Sequence, residues 1–182
     1  MQGDVLTSAQ PSTADQHSGG GRHGLYTPAQ RVRRDETVWT VVQGVLAPIQ
    51  FFVCAVSIGL IVRYLATGEG LFAAHVSVLA KTAILYLIMV TGAIWEKIVF
   101  GQYLFAPAFY WEDMVSMAVL ALHTIYLIAL FGEVLSPVAL MLLALAAYGA
   151  YIFNAIQFIL KLRAARLQGP AASHQAGHEV VA

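Results

Sequence analysis

The amino-acid sequence predicts an all-α membrane protein, a bundle of four transmembrane helices with disordered termini, and three observations carry that prediction. Of 182 residues, 59% are hydrophobic and 11% charged, whereas soluble domains carry about 25% charged residues; mean hydropathy is +0.70. Four stretches are each long enough to cross a hydrocarbon layer that takes about 20 helical residues. The basic residues gather at the ends of those stretches rather than along them.

Residues 1–24 are rich in Ser, Gly, Gln and Thr and lack the apolar run of a secretory signal, which predicts a disordered tail. Residues 25–167 form one membrane domain, and 168–182 repeat the character of the first tail. Within TPAQRVRRDETV, Thr27 can cap backbone N–H groups and Pro28 suits the first helical position, so a short surface helix is expected there. The first span, Trp39 to Val62, carries no charge, and Pro48 inside it removes a backbone bond to the carbonyl of Gly44, which predicts a bend. The second span, Ala74 to Trp95, contains Lys81; the third, Met114 to Phe131, contains His123; the fourth runs from Pro137 to Leu160. The short connections RYLATGEGLFA and GEVLSP make spans one and two, and three and four, antiparallel neighbours.

Orientation follows from charge. Arg22, Arg31, Arg33, Arg34, Lys97, Lys161, Arg163 and Arg166 fall on one side, eight of the ten basic residues, and cytoplasmic flanks collect Lys and Arg. Both termini and the central connection are therefore expected in the cytoplasm. Ten basic residues balance ten acidic ones, so no overall field recruits nucleic acid. The single Cys54 excludes an internal disulfide, and no C-x-x-C pair suggests a metal site.

The central connection, EKIVFGQYLFAPAFYWED from Glu96 to Asp113, brackets six aromatics with charged pairs. Phe100, Tyr103, Phe105, Phe109, Tyr110 and Trp111 read either as an interfacial aromatic belt or as a platform that stacks on a large flat ligand. Glu96 and Lys97 close span two, and Glu112 and Asp113 open span three, so all four arrive at similar depth. A cross-helix carboxylate pair such as Glu96 with Glu112 would hold a proton for general acid work. The alternative is an ion pair of Lys97 with Glu112 or Asp113 that pins the hairpin.

Glu112, Ser116, Val119 and His123 recur at helical spacing, and this stripe should face the interior, where an imidazole ligates a metal, relays a proton or bonds a neighbouring helix. His75 is poorly placed as a second haem ligand. Two further polar stripes, Gln43, Gln50 and Ser57 on span one and Asn154, Gln157 and Lys161 on span four, are expected to join helices.

The stretches WTVVQGVLAPIQFFV, RYLATGEG and KTAILYLIMVTGAIWEKIVFGQYLFAPAFYWEDMVSMAVLALHTIYL resemble the 3-vinyl (also 2-vinyl) bacteriochlorophyllide hydratase family, most specifically in GAIWEKIVFGQYLFAPAFYWED. The resemblance implies that water adds across the ring-A vinyl group of a chlorophyllide or bacteriochlorophyllide to give a 1-hydroxyethyl group. It implies no redox cofactor. Its implied partners are pigment, water and membrane lipid, with other pigment-biosynthesis enzymes as candidates. Such chemistry needs an acid beside a desolvated π surface, and the expected order of acids is Glu112, then Glu96, with Asp113 and Lys97 in support. His123 would position the pigment through its magnesium, and Tyr103, Phe105, Phe109, Tyr110 and Trp111 would stack against it. The competing readings are a non-enzymatic pigment-binding or assembly protein and a small-solute carrier that uses Lys81.

Overall fold

A computed structural model describes residues 25–168. The expected tails, 1–24 and 169–182, lie outside the described residues, while Gln168 still belongs to the last helix. Five helices follow one another, α1 (Pro28–Glu36), α2 (Val38–Thr67), α3 (Leu71–Phe100), α4 (Tyr110–Phe131) and α5 (Pro137–Gln168), and α2 to α5 are each long and apolar enough to cross a membrane. The fold is the expected all-α, four-helix membrane bundle.

Local sequence sets the boundaries. Thr27 Oγ1 accepts from the N–H of Gln30 at 3.3 Å while Gln30 Oε1 accepts from the N–H of Thr27 at 2.9 Å, a reciprocal cap that starts α1 beside Pro28. Thr37 then caps α2, accepting from Trp39 N–H. The connection between α2 and α3 is only Gly68, Glu69 and Gly70, and both glycines are left-handed, at φ 75° and 86°. A side chain at either would clash with its own backbone, so the tight reversal depends on glycine. α2 continues as one helix through Pro48.

α2 packs chiefly on α3, and α4 on α5; the two hairpins meet each other more sparsely. Bulky apolar residues such as Phe52, Phe72, Phe131 and Ile128 point outward, while Gln50, Ser57, Lys81, Thr82 and His123 are buried. This inversion is what lipid demands, because lipid solvates Phe as well as a core does, and helices associate instead through packing and polar contacts. Ser57 bonds both Ser77 and Tyr148 at 2.7 Å, Gln43 donates to Thr91 at 2.7 Å, and Asn154 donates to Ser116 at 2.7 Å. The polar stripes therefore join helices at Gln43, Ser57 and Asn154. Gln50 does not: neither atom of its amide has a partner among the described residues.

Candidate active site

The ends of α3 and α4 carry the charged residues of the central connection, and the loop between them fixes how they meet. Phe105 adopts φ 60°, a left-handed conformation that is rare for a bulky residue and costs on the order of 1–3 kcal/mol. The reversal aims two successive N–H groups inward: Phe105 donates to Asp113 Oδ2 at 2.7 Å and Ala106 donates to Glu96 Oε2 at 3.3 Å. Pro107 follows at once and keeps Ala106 from turning helical. The loop therefore supplies one backbone donor to each of two buried carboxyl groups.

Those two groups face each other. Glu96 and Asp113 are 5% and 4% exposed and lie within hydrogen-bonding reach of one another. A carboxyl group can donate to another only when it carries a proton, so a direct bond between the two would need one shared proton.

This partner differs from the one expected from the sequence. Glu112 is buried too, but Lys161 of α5 donates to its Oε2 at 2.6 Å, forming an ion pair. The reason is helical phase. Glu112 and Asp113 stand about 100° apart on α4, and α4 sits so that Asp113 faces α3 and Glu112 faces α5. Lys97 pairs with neither carboxylate. One position past Glu96, it points out of the bundle, donates to the carbonyl of Gly101 at 2.7 Å and lies 5.3 Å from the centroid of Tyr103, closing the C-terminus of α3.

The aromatic insert divides into two groups. Phe109, 2% exposed, sits in a packed cluster with Tyr26, Trp95, Phe100 and Phe158, stacking on Phe158 at 5.7 Å and 20°. Tyr26, from the segment before α1, stacks on Phe100 at 5.7 Å, and burial pushes its phenol up from the ordinary tyrosine range. Tyr103, Tyr110 and Trp111 instead face outward, with half-buried Phe105 beside Tyr110 at 5.8 Å.

Deeper in the bundle, Glu112, Ser116, Val119 and His123 are all buried, as their helical spacing requires. His123 Nδ1 donates to the carbonyl of Val119 at 2.8 Å. A carbonyl only accepts, so Nδ1 carries a proton, and in the neutral imidazole Nε2 then keeps its lone pair; Nε2 has no partner among the described residues. His75 is engaged elsewhere, with Tyr126 at 2.7 Å.

The sequence model of the 2-vinyl bacteriochlorophyllide hydratase family matches residues 26–164. A 2-vinyl bacteriochlorophyllide hydratase of Cereibacter sphaeroides is 63% identical over 149 residues, 81% of this chain and 92% of that protein. The chain belongs to the 2-vinyl bacteriochlorophyllide hydratase family. A second member, from Rhodobacter capsulatus, is 60% identical over 156 residues, 86% of this chain and 90% of its own length. No solved structure matches the chain. In this hydratase family member the matched region contains all of α1 to α4, the carboxyl pair, its loop and the Glu112–Lys161 ion pair.

Two parts of the site escape a reading of the sequence. Lys161 reads as one member of a polar stripe, and only its spacing from Tyr151 and Asn154 hints that it shares their inward face. The backbone donors of Phe105 and Ala106 leave no mark beyond Pro107.

Proposed function

We propose that the protein hydrates the ring-A vinyl group of a chlorophyllide or bacteriochlorophyllide, with Glu96 and Asp113 as the acid pair. The observation that carries this reading is a buried carboxyl pair, one backbone donor on each member, in a chain of this family. The shared proton passes to the outer vinyl carbon, the C=C π electrons forming the new C–H bond. A cation is left on the carbon attached to the macrocycle, where conjugation spreads it. Water attacks that carbon, and the proton it loses returns to the carboxylate pair. The sum is vinyl plus water to 1-hydroxyethyl, with the acid regenerated and no electron gained or lost.

Glu112, held by Lys161, keeps a fixed negative charge near the developing cation, a supporting role. His123, with its free Nε2, positions the pigment through the metal that the pigment carries. Tyr103, Phe105, Tyr110 and Trp111 give a flat substrate an aromatic surface to meet at the membrane interface, and Phe109 fixes the wall behind them. Membranes containing only this protein, given a vinyl chlorophyllide in ¹⁸O water, should yield product heavier by one labelled water. Pigment that stays bound but unchanged would favour the non-enzymatic holder.

The same reading places both termini and the carboxyl pair on the cytoplasmic side of the bacterial inner membrane, because eight of the ten basic residues mark that end. Reporter tags at the two termini should be cytoplasmic and one inserted between Thr67 and Gly70 periplasmic. Termini found on opposite faces would rule out four spans in this arrangement.

A further inference from the structure

We propose that Lys81 is the anchor for the pigment's carboxylate arm, and that it makes the site selective for the free acid over its ester. This rests on the pigment reading above. Lys81 lies inside α3, is 0% exposed, and its ammonium has neither a hydrogen bond nor an ion pair among the described residues. Among the described residues its close partners are aromatic: Nζ stands 3.6 Å from the ring centroid of Tyr151 and 6.0 Å from that of Tyr148. Such contacts return a small part of what it costs to take an ammonium out of water, and ionisable groups at this depth mark ligand or ion sites.

Lys81 is not alone. Both amide atoms of Gln50 on α2, Nε2 of His123 on α4, and the amide oxygens of Asn154 and Gln157 on α5 are also buried without partners. Polar groups that serve only to join helices find each other, as Ser57 and Gln43 do. Here every one of the four spans contributes an unsatisfied group to the interior, and a guest between the helices would find a polar partner on each of them. Water can satisfy amides and an imidazole, but it brings no countercharge for Lys81. An anion does.

Position narrows the anion further. His123 lies 5.7 Å from the ring of Tyr148, the same ring that Lys81 approaches. A single ligand with a coordinating metal and a carboxylate arm would engage both. Along α3, Lys81 and Glu96 are fifteen residues apart, about 22 Å of helix rise, part of which the two side chains and their contacts take up. A pigment anchored at Lys81 would extend along α3 toward the acid pair.

The test is equilibrium binding of a vinyl chlorophyllide and of its methyl ester to the full chain in lipid nanodiscs, read by pigment absorbance. A charge-assisted contact predicts that wild type binds the acid about 10- to 100-fold tighter than the ester. Lys81→Met, which replaces an unpaired charge by an apolar chain of similar length, should bind both as wild type binds the ester, and Lys81→Arg should keep the preference. Equal binding of acid and ester by wild type, or a preference that survives in Lys81→Met, overturns the proposal. If Lys81→Met binds neither, the wild-type ratio and Lys81→Arg decide it in the same way. Intact acid preference without any turnover would sink the hydration reading and leave this site standing.

Discussion

Glu96→Gln and Asp113→Asn are each expected to lower turnover by about 10²- to 10⁴-fold, the usual contribution of a general acid, while pigment still binds. Both changes keep size and hydrogen bonding but remove the ability to pass on an acidic proton. Because the two side chains face each other and share one function, the double variant should be little worse than either single change. Single-turnover rates at saturating pigment separate this from a loss of affinity. Glu112→Gln is the informative control. Its carboxylate is held by Lys161 at 2.6 Å, so its loss should reduce turnover far less than loss of Glu96 or Asp113. Near-parental rates in both Glu96→Gln and Asp113→Asn, with Glu112→Gln inactive, would return the acid role to Glu112.

Glu112 meets Lys161 rather than Glu96, and the exchange of partners marks what spacing along one chain carries and what it does not. The four spans were legible because length and apolarity are properties of the segments themselves, although each helix runs past the apolar stretch that announces it, α3 for instance to Phe100 rather than Trp95. The inward stripe of Glu112, Ser116, Val119 and His123 was legible because helical spacing fixes which residues share a face. Which neighbour each residue meets is set instead by how α4 lies between α3 and α5. A rotation of one residue about the helix axis exchanges the partners of Glu112 and Asp113, and spacing within α4 holds no record of that choice.

The same limit applies to burial and to backbone. Lys81 can be read from the sequence as a lysine inside a span, yet its lack of a counter-ion among the described residues is a property of all four helices together. Tyr148 and Tyr151, which flank it, look like ordinary members of an apolar run. The left-handed turn at Phe105 is hidden for a different reason: glycine or asparagine advertises such a conformation, and phenylalanine does not.

Lys161→Met is expected to cause the largest loss of stability of any single change at the site. It strands Glu112, whose side chain is 10% exposed, without the ammonium that neutralises it. Breaking a fully buried ion pair from one side costs roughly 3–5 kcal/mol. The side chain of Lys161 is 27% exposed, so water shares the burden and a loss of about 2 kcal/mol is the better expectation. Removing both charges should behave differently. In Glu112→Gln with Lys161→Met nothing charged is left unpaired, and the double variant should recover most of the loss, since replacing a buried pair outright is often near neutral. Thermal unfolding of the four proteins in one detergent, combined as a double-mutant cycle, measures the coupling directly. A cycle in which the two single losses simply add would mean that the 2.6 Å contact contributes nothing to holding α4 against α5. Strong coupling with turnover largely lost in the double variant would mark the ion pair as the brace that sets the phase of α4, and so as what turns Asp113 toward Glu96.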